Sequence, residues 1–478
     1  MTKQRGRYAL ILRLLLLLLG IAALSMVIPL VLAWGFGETA MCRAFLFSMG
    51  PAVLAALPAA ILSRGKKVRF SAGDGFLLVF LAWVLTCALG AAPFCLAGRG
   101  IGVFDALFES VSGFTTTGAT VFADVESLPR SLVFWRAMTH WLGGMGIVVL
   151  TVALLPLLGA GGFQLLRAES PGPESEKITP RITGTAKILW GMYLAMTVLE
   201  TALLMLGGMD WFDAVVHSFA TVATGGFSSR NGSIAAYQSP FIDWVCIVFM
   251  LVAGCNFTLI YRLCRGKLKE AAANSEARAY GCIILVSVIL IGATGTGLRQ
   301  AFFQAASILS TTGFTAADHA RWHPLAQGAL FFLMFIGGCS GSTAGGIKVI
   351  RHLVFFKQAG NEMKRLLYPR GVFSIRLDGK AGKKELVYGV TGFMFLYFLL
   401  VLAAALLVST AGSDLFTSLN AGLLTLGNIG LGIGKMGPGS EFSAFPAYVK
   451  GGLSFIMIAG RLELWTVFVF FSRDYWST

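Results

Sequence analysis

Apolar runs of about 20 residues recur along the whole chain, and each is long enough to cross a bilayer core of about 30 Å as a helix. Hydrophobic residues make up 56% of the 478 residues and charged residues only 13%. A soluble protein carries about 25% charged residues, so this composition excludes an ordinary soluble domain. The sequence therefore predicts an all-α membrane protein with several spans.

The first apolar run, Tyr8–Trp34, follows the basic residues Lys3, Arg5 and Arg7. This order is also found in signal peptides, but the run is longer than their apolar core and has no clear cleavage site. We therefore expect a retained span that forms an N-terminal hairpin with a second span near residues 42–63.

The net charge of +15 is concentrated in a few loops, which argues against nucleic acid as the partner. The basic clusters are Arg64, Lys66, Lys67 and Arg69; Arg167, Lys177, Arg181 and Lys187; Arg262, Arg265, Lys267, Lys269 and Arg278; and a group in 348–384 that includes Arg351, Lys357, Lys364, Arg365, Arg370, Arg376, Lys380 and Lys383. The alternate loops hold only scattered basic residues. This asymmetry follows the positive-inside rule and places the clusters on the cytoplasmic side.

A unit made of a long apolar span, a short apolar segment, a Thr/Gly stretch and a second long span occurs four times. The short segments with their stretches are "FDALFESVSGF" with "TTTGAT", "WFDAVVHSFATV" with "ATGGFS", "LRQAFFQAASIL" with "STTGFT", and "SDLFTSLNAGLLTL" with "GNIGLG". The long spans lie near 75–97 and 131–158, 186–207 and 240–262, 279–297 and 324–350, and 386–409 and 446–471. Because the short segments cannot span a bilayer, we expect them to enter and return on the outer side.

The Thr/Gly stretches have the composition of an ion-binding backbone. Irregular backbone is tolerated in a membrane only where it lines a water-filled path or is buried in protein. Glycine permits unusual conformations, and rings of carbonyl oxygens can replace the hydration shell of a cation. Four stretches around one axis therefore predict a cation filter.

The short segments begin near acidic residues in three of the four units, at Asp105, Asp213 and Asp414. A carboxylate there favours the helix dipole, and the opposite helix end then presents partial negative charge to the Thr/Gly stretch. The third segment departs from this pattern because it begins near Arg299.

The segment "GGCSGSTAGGIKVIR" (337–351) interrupts the long span near 324–350 with residues that disfavour a continuous helix. It has the look of a nucleotide-binding phosphate loop, but Ile347 separates Gly346 from Lys348, so the required G-K-[ST] is absent. We expect no nucleotide there.

Arg461 lies inside the last apolar span, where a charge is costly and indicates a functional role. The alternative is an ion pair with Glu463 that only packs helices. Residues two apart point to different faces of a helix, which counts against that pair. The eight cysteines show no metal-ligand spacing and the five histidines form no cluster, so the sequence lacks the side-chain set of a metalloenzyme.

Together with "HWLGGMGIVVL" (140–150) and "AGRLELWTV" (459–467), these motifs resemble the Trk/Ktr/HKT superfamily of potassium transporters, and within it the TrkH/TrkG type. The resemblance covers nearly the whole chain. It implies an all-α polytopic fold with four M1–pore helix–M2 repeats around a central pore. The implied boundaries are 1–70 for the N-terminal hairpin, then 71–162, 163–270, 271–366 with a gating loop at 337–346, and 367–478.

The resemblance also implies site residues. The backbone of a K⁺ selectivity filter would be formed by Thr116, Thr117, Gly118, Thr224, Gly225, Gly226, Thr311, Thr312, Gly313, Asn428, Ile429 and Gly430. Gly427 is a rival to Gly430 because the fourth repeat needs a small shift to align. The gate would be formed by Gly337, Gly338, Ser340, Gly341, Ser342, Thr343, Gly345, Gly346 and Arg461.

Partners are likewise implied by resemblance. Similar proteins form homodimers in the bacterial inner membrane and are regulated by a cytoplasmic TrkA-type subunit that binds NAD(H) or ATP/ADP. We expect this chain to hold K⁺ as its substrate ion, to bind no cofactor or nucleic acid itself, to have both termini in the cytoplasm and to be no enzyme. The basic segment 348–384 is a candidate docking surface for the regulatory subunit.

Two alternative transport functions stay open. A proton- or sodium-coupled potassium symporter would need a titratable group, for which Glu200 and Glu463 are the visible acids. A secondary transporter of an organic solute would favour inverted repeats, whereas these four repeats run in the same direction.

Overall fold

The structure is a computed structural model that describes residues 2–62, 72–98, 100–146, 182–378, 380–381 and 384–477. Within these ranges, six helices are long and apolar enough to cross a membrane, or up to eight if each bent helix pair is one span. The predicted all-α, multi-pass fold is confirmed. Several predicted features lie outside the described residues: Arg64, Lys66, Lys67, Arg69, Arg167, Lys177, Arg181, Lys383 and the part of the span near 131–158 that follows Gly146.

The N-terminal hairpin consists of α1 (Thr2–Ser25), which α2 (Val27–Gly35) continues, and α3 (Thr39–Leu62). α1 packs against α3 and also against the first helix of repeat 1. Its apolar side chains Leu14 and Leu18 are buried in this contact. The hairpin therefore packs on the outside of the repeats.

Repeats 1 and 2 each contain a long helix, a 12-residue helix and a second, shorter helix. In repeat 1 these are α4 (Ala72–Leu96), α5 (Val103–Phe114) and α6 (Arg130–Gly144). In repeat 2 they are α7 (Ile182–Leu206), α8 (Trp211–Val222), and the pair α9 (Pro240–Ala253) and α10 (Phe257–Cys264).

Repeats 3 and 4 follow the same order, after the short helix α11 (Leu268–Ala273). Repeat 3 contains α12 (Ser275–Gly292), α13 (Leu298–Leu309), α14 (Pro324–Met334) and α15 (Val349–Leu367). An antiparallel pair, β1 (Arg376–Leu377) and β2 (Lys380–Ala381), leads to α16 (Lys384–Ser409), α17 (Leu415–Leu426), α18 (Ala447–Arg461), α19 (Leu464–Phe468) and α20 (Arg473–Ser477). Short 3₁₀ turns occur at Ser233–Tyr237, His319–Arg321, Gly434–Met436 and Val469–Phe471.

The second helices of repeats 2 and 4 are bent, whereas the sequence predicts one span in each, near 240–262 and near 446–471. The bend between α9 and α10 is 107°, and the bend after α18 is 117°. Asn256 starts α10 because its side-chain oxygen accepts the Thr258 N–H at 2.8 Å. Apolar residues continue on both sides of each bend, so a hydropathy pattern alone cannot show it. The interruption of the third repeat was expected, and residues 335–348 there separate α14 from α15.

The four 12-residue helices are linked in chain order by the helices between them. α8 contacts α6 of repeat 1, and α13 contacts α9 of repeat 2. Phe416 of α17 lies 5.7 Å from the Phe331 ring of α14, and α5 contacts α18 of repeat 4. Each short helix thus packs on the second helix of the preceding repeat, which closes the four repeats into a ring.

The close packing of α17 against α16 yields a stability prediction. A Cβ added at Gly422 would lie 2.9 Å from the Val401 carbonyl oxygen, whereas a Cβ at Gly389 would have no neighbour within 4 Å. We expect Gly422→Ala to destabilise the protein by about 1–3 kcal/mol through overpacking. Gly389→Ala should be neutral or slightly stabilising, since alanine favours a helix. Thermal unfolding in detergent, followed by tryptophan fluorescence, measures both; equal midpoints for the two variants would contradict this packing.

Candidate functional site

The four 12-residue helices end in the same way. The first residue after each helix donates its N–H to the carbonyl four residues back; these residues are Thr115, Ala223, Ser310 and Gly427. The third residue donates its N–H to the carbonyl five residues back; these are Thr117, Gly225, Thr312 and Ile429, with N–O distances of 2.9, 2.7, 2.9 and 3.0 Å. The chain therefore leaves each helix along an equivalent path.

The backbone φ angles recur at the same positions in all four stretches. The second residue of each stretch has a positive φ although none is glycine: Thr116 (53°), Thr224 (55°), Thr311 (59°) and Asn428 (52°). The fourth residue is always a glycine with a positive φ: Gly118 (82°), Gly226 (85°), Gly313 (81°) and Gly430 (71°). Such angles are unfavourable for non-glycine residues and persist only where the surrounding structure enforces them. Gly427 occupies the helix-end position, so Gly430 is the counterpart of the other three glycines.

The glycines of the four stretches close a ring. A Cβ added to the glycine of one repeat would overlap a carbonyl oxygen of the next repeat. The pairs are Gly118 with Gly225, Gly226 with Thr312, Gly313 with Ile429, and Gly430 with Thr117. The last pair joins repeat 4 to repeat 1, so the four stretches surround one axis with carbonyl oxygens beside it.

Most threonine hydroxyls in these stretches bond to protein, but that of Thr116 is buried without a hydrogen-bond partner among the described residues. The Thr117 and Thr115 hydroxyl oxygens are 2.8 Å apart, and Thr117 also accepts the Asn428 amide at 2.9 Å. The Thr311 hydroxyl accepts the Gly345 N–H at 2.7 Å. The backbone carbonyls are therefore the main oxygen ligands that the stretches offer.

A buried ion pair that the sequence analysis overlooked supports the first stretch. Arg136 on α6 donates through Nε to Glu109 on α5 at 2.7 Å, and both side chains are buried. Glu109 also accepts the Val121 N–H at 2.9 Å, just after the stretch. Arg136 in turn lies 3.9 Å from the centre of the Phe227 ring in repeat 2. The signal was the charged residue inside the apolar segment "FDALFESVSGF".

Other polar side chains support the remaining stretches. His140 donates to the Gly113 carbonyl at 2.7 Å and accepts the Phe227 N–H at 3.2 Å. The Ser307 hydroxyl donates to the Phe314 carbonyl at 2.7 Å, and the Asn420 amide donates to the Ile433 carbonyl at 2.7 Å. Each stretch is thus held from behind by a side chain on a packed helix.

The acids at the starts of the short helices are paired with cations. Asp105 pairs with Lys450, and Asp213 pairs with Arg230 at 2.8 Å. Asp414 caps α17 and pairs with Lys435 at 2.8 Å, and this hydrogen bond from Lys435 holds the pKa of Asp414 well below its usual range.

Arg299, which departs from the acidic pattern of these helix starts, has its own partner. Its Nε lies 3.1 Å from an oxygen of Asp243 in repeat 2. In repeat 3 the charges of this ion pair are exchanged: the short helix supplies the cation, and the neighbouring repeat supplies the acid.

The loop of residues 337–346 is closed at its base. The Lys348 N–H donates to the Ile336 carbonyl and the Val349 N–H donates to the Gly338 carbonyl, both at 3.0 Å. Gly337 and Gly346, both with positive φ, pack against each other there. The two arms of the loop are therefore joined before it projects inward.

The loop contacts repeats 2 and 4 and the third Thr/Gly stretch. Thr343 donates to the Val222 carbonyl at the end of α8, at 3.1 Å. A Cβ added to Gly345 would overlap the Gly427 carbonyl oxygen. The Gly341 carbonyl accepts the Phe257 N–H at 3.0 Å, and Ser342 donates within the loop to Cys339 at 2.6 Å. The loop therefore lies directly against the ends of the short helices, across the axis of the ring.

Arg461 joins this loop to the first repeat. Its guanidinium donates to the Thr343 carbonyl at 2.7 Å and to the Gly143 carbonyl at 2.7 Å. Glu463 instead accepts from Arg351, at 2.6 Å. Glu463 therefore forms its ion pair with Arg351 and not with Arg461.

This arrangement offers backbone oxygen ligands for a dehydrated cation, but it does not offer a cluster of metal-binding side chains. Among the described residues, no three His, Cys, Asp or Glu side chains are grouped to hold a metal ion. Rings of carbonyl oxygens suit alkali cations, which bind through oxygen alone.

Comparisons with known proteins agree with this geometry. The TrkH family, described as cation transport proteins, matches residues 46–278 and 286–477. The Trk system potassium uptake protein TrkH of Escherichia coli strain K12 is 40% identical over 427 residues, which cover 87% of this chain and 88% of that protein. TrkH of Halomonas elongata is 39% identical over 478 residues, covering 98% of each chain.

A solved structure is similar throughout. The crystal structure of the potassium transporter TrkH from Vibrio parahaemolyticus matches with a TM-score of 0.86 and 35% identity, covering 98% of this chain and 99% of that one. These relatives are transporters, which agrees with the expectation that this chain is not an enzyme. The resemblance seen in the sequence is confirmed, and the chain belongs to the TrkH family of cation transport proteins.

Proposed function

We propose that this protein carries K⁺ inward across the bacterial inner membrane through the ring of carbonyls. The observation that carries the proposal is the glycine ring, in which each glycine admits the carbonyl of the next repeat. The carbonyls of Thr117, Gly225, Thr312 and Ile429 then replace water around a dehydrated cation. The printed names of the relatives, which are potassium uptake proteins, favour K⁺ as the ion.

Filter selectivity follows from the irregularity of the ring. The third residue after each short helix differs among the repeats: it is Thr117, Gly225, Thr312 or Ile429. Such a ring is less symmetric than four identical strands. We therefore expect it to accept Rb⁺ readily and to discriminate against Na⁺ only moderately.

The membrane potential is sufficient to drive accumulation. A potential of 100 mV, negative inside, supplies about 2.3 kcal/mol per unit charge. A coupled symporter would need a titratable group beside the pathway. Glu463 pairs with Arg351, and Glu200 is buried on α7, which packs against α8. Uncoupled transport is therefore favoured over the symport alternative.

The loop of residues 337–346 and Arg461 act as the gate. The loop crosses the axis below the ring, and Arg461 places a positive charge beside it. Both would oppose passage of a cation. Opening requires the loop to withdraw and Arg461 to release the carbonyls of Thr343 and Gly143.

Regulation is assigned to a cytoplasmic TrkA-type subunit that holds NAD(H) or ATP/ADP. The basic segment 348–384 is its proposed docking surface; most of this segment is the helix α15 (Val349–Leu367). That helix begins where the gate loop ends, so a partner bound to it can pull on the gate. The protein is further proposed to be a homodimer with both termini in the cytoplasm.

Uptake of ⁸⁶Rb⁺ into proteoliposomes tests the proposal. Gly313→Ser should lower uptake by at least about tenfold, because its Cβ would overlap the Ile429 carbonyl oxygen and strain a positive φ. Gly281→Ser is the matched control, since a Cβ there has no neighbour within 4 Å. Valinomycin added at the end shows that the vesicles are sealed. Wild-type uptake no higher than in empty liposomes, with and without a TrkA-type partner, would contradict K⁺ transport.

The gate yields a second prediction. Arg461→Gln removes the charge and weakens the hold on the Thr343 carbonyl, so we expect several-fold higher ⁸⁶Rb⁺ flux without the regulatory subunit. Arg473→Gln, an exposed arginine of the C-terminal segment, serves as the control. Flux at or below the wild-type level in a well-folded Arg461→Gln protein would exclude Arg461 from the gate.

The docking surface yields a third prediction. Arg365 and Arg370 are exposed near the end of α15, and replacing both with Glu reverses the local charge. We expect at least several-fold weaker binding of a TrkA-type subunit in biolayer interferometry, with unchanged partner-free ⁸⁶Rb⁺ flux. Replacing the exposed Lys267 and Lys269 with Glu gives the same charge change elsewhere. Equal binding by both double variants would show that the surface lies elsewhere.

A further inference from the structure

Glu276 is a buried acid that the transport path does not use. It is the second residue of α12 and is only 5% exposed. One of its carboxylate oxygens accepts the Ser340 N–H at 2.7 Å and the Ile350 N–H at 3.1 Å. Burying a carboxylate is unfavourable unless it is well bonded, so these contacts hold Glu276 in place.

The two donors belong to different parts of the gate. Ser340 lies within the loop of residues 337–346, whereas Ile350 lies in the first turn of α15, below the base of the loop. A single oxygen of Glu276 therefore joins the loop to the helix from which it extends. The buried Lys348, whose ammonium group donates to the Ala344 carbonyl, binds the same loop from its other arm.

The contact is not repeated in the fourth repeat. α16, the counterpart of α12, also has a glutamate in its first turn, Glu385, but that side chain is exposed. Interaction with the helix dipole alone would explain an exposed first-turn acid, and it does not require burial. Burial and bonding to the loop of residues 337–346 distinguish Glu276 from Glu385.

We propose that Glu276 is a positioning residue that latches the gate loop in its closed place. This inference rests on the proposed gate role of residues 337–346. Replacing the carboxylate with an amide removes the charge-assisted bonds, which are about twice as strong as neutral ones. The closed position then loses stability relative to an open one, and basal flux rises.

A pair of thiols provides an independent way to hold the loop closed. Cys339 lies beside Cys255, because the Cys339 N–H donates to the Gly254 carbonyl at 2.8 Å. Copper(II)-phenanthroline can oxidise this pair: two thiols release two protons and pass two electrons to two Cu(II) ions, and an S–S bond forms. The disulfide would tie the loop to the bend between α9 and α10.

The test compares ⁸⁶Rb⁺ uptake by wild type, Glu276→Gln and the matched control Glu385→Gln in proteoliposomes without a regulatory subunit. We expect several-fold higher uptake for Glu276→Gln alone. Copper-phenanthroline should remove the excess and dithiothreitol should restore it. The double variant Glu276→Gln/Cys255→Ser should keep its excess uptake in the presence of the oxidant.

Outcomes for the latch and for the transport function are separable. Glu276→Gln uptake at or below the wild-type level, or an excess that survives a disulfide verified by mass spectrometry, would overturn the latch. If Glu276→Gln does not fold, Glu276→Asp, which keeps the charge but shortens the reach, should show a smaller rise; no rise would overturn the latch equally. No ⁸⁶Rb⁺ uptake by wild type would instead defeat the proposed function.

Discussion

Every backbone N–H and C=O inside a bilayer must find a partner within the protein. In the stretches after the four short helices, this constraint is met for the N–H group of the third residue but not for the carbonyl group of the same residue. At Thr117, Gly225, Thr312 and Ile429 the N–H bonds back to the preceding helix. The carbonyls are left beside the axis, where a cation without its water can replace the missing partners. We propose that the same constraint that forbids unpaired backbone in lipid produces an ion site here.

This backbone is strained, and its surroundings keep it in place. Positive φ angles at residues such as Thr116 and Thr311 cost about 1–3 kcal/mol each and persist only where packing enforces them. The enforcement comes from buried polar side chains behind the ring. Glu109 and Arg136 are the clearest example, because they connect α5, α6 and the chain that follows the first stretch. Removing one partner of such a buried pair is strongly destabilising, by about 3–5 kcal/mol.

The loop of residues 337–346, the proposed gate, is held by several hydrogen bonds rather than by one strong contact. Thr343, Gly345 and Arg461 each bond the loop to a different part of the ring. A typical hydrogen bond contributes about 1 kcal/mol net, so the position of the loop is held by a sum of modest contributions. Under the proposed regulation, a bound subunit offsets that sum. That balance suits a switch, because no single contact is too strong to release.

Much of this fold could be predicted from the sequence, since apolar run length and four related Thr/Gly stretches require no knowledge of contacts. The equivalence of Gly430 with the other ring glycines was preferred on its neighbours "NIGL" but needed the backbone angles to be seen. The bends after Ala253 and Arg461 could not be predicted, because hydropathy stays high through them. The ion-pair partner of Glu109 lies 27 residues away, and the backbone donors to Glu276 lie 64 and 74 residues away. One sequence does not reveal such pairs.

The most direct test is to locate bound Rb⁺ by anomalous X-ray scattering from crystals grown in RbCl. Rb⁺ scatters anomalously and replaces K⁺ at carbonyl sites. The account predicts a peak on the axis of the ring, within bonding distance of the Thr117, Gly225, Thr312 and Ile429 carbonyl oxygens. A ring with no peak at saturating Rb⁺, together with strong peaks elsewhere in the protein, would contradict the central claim that these carbonyls form the ion site.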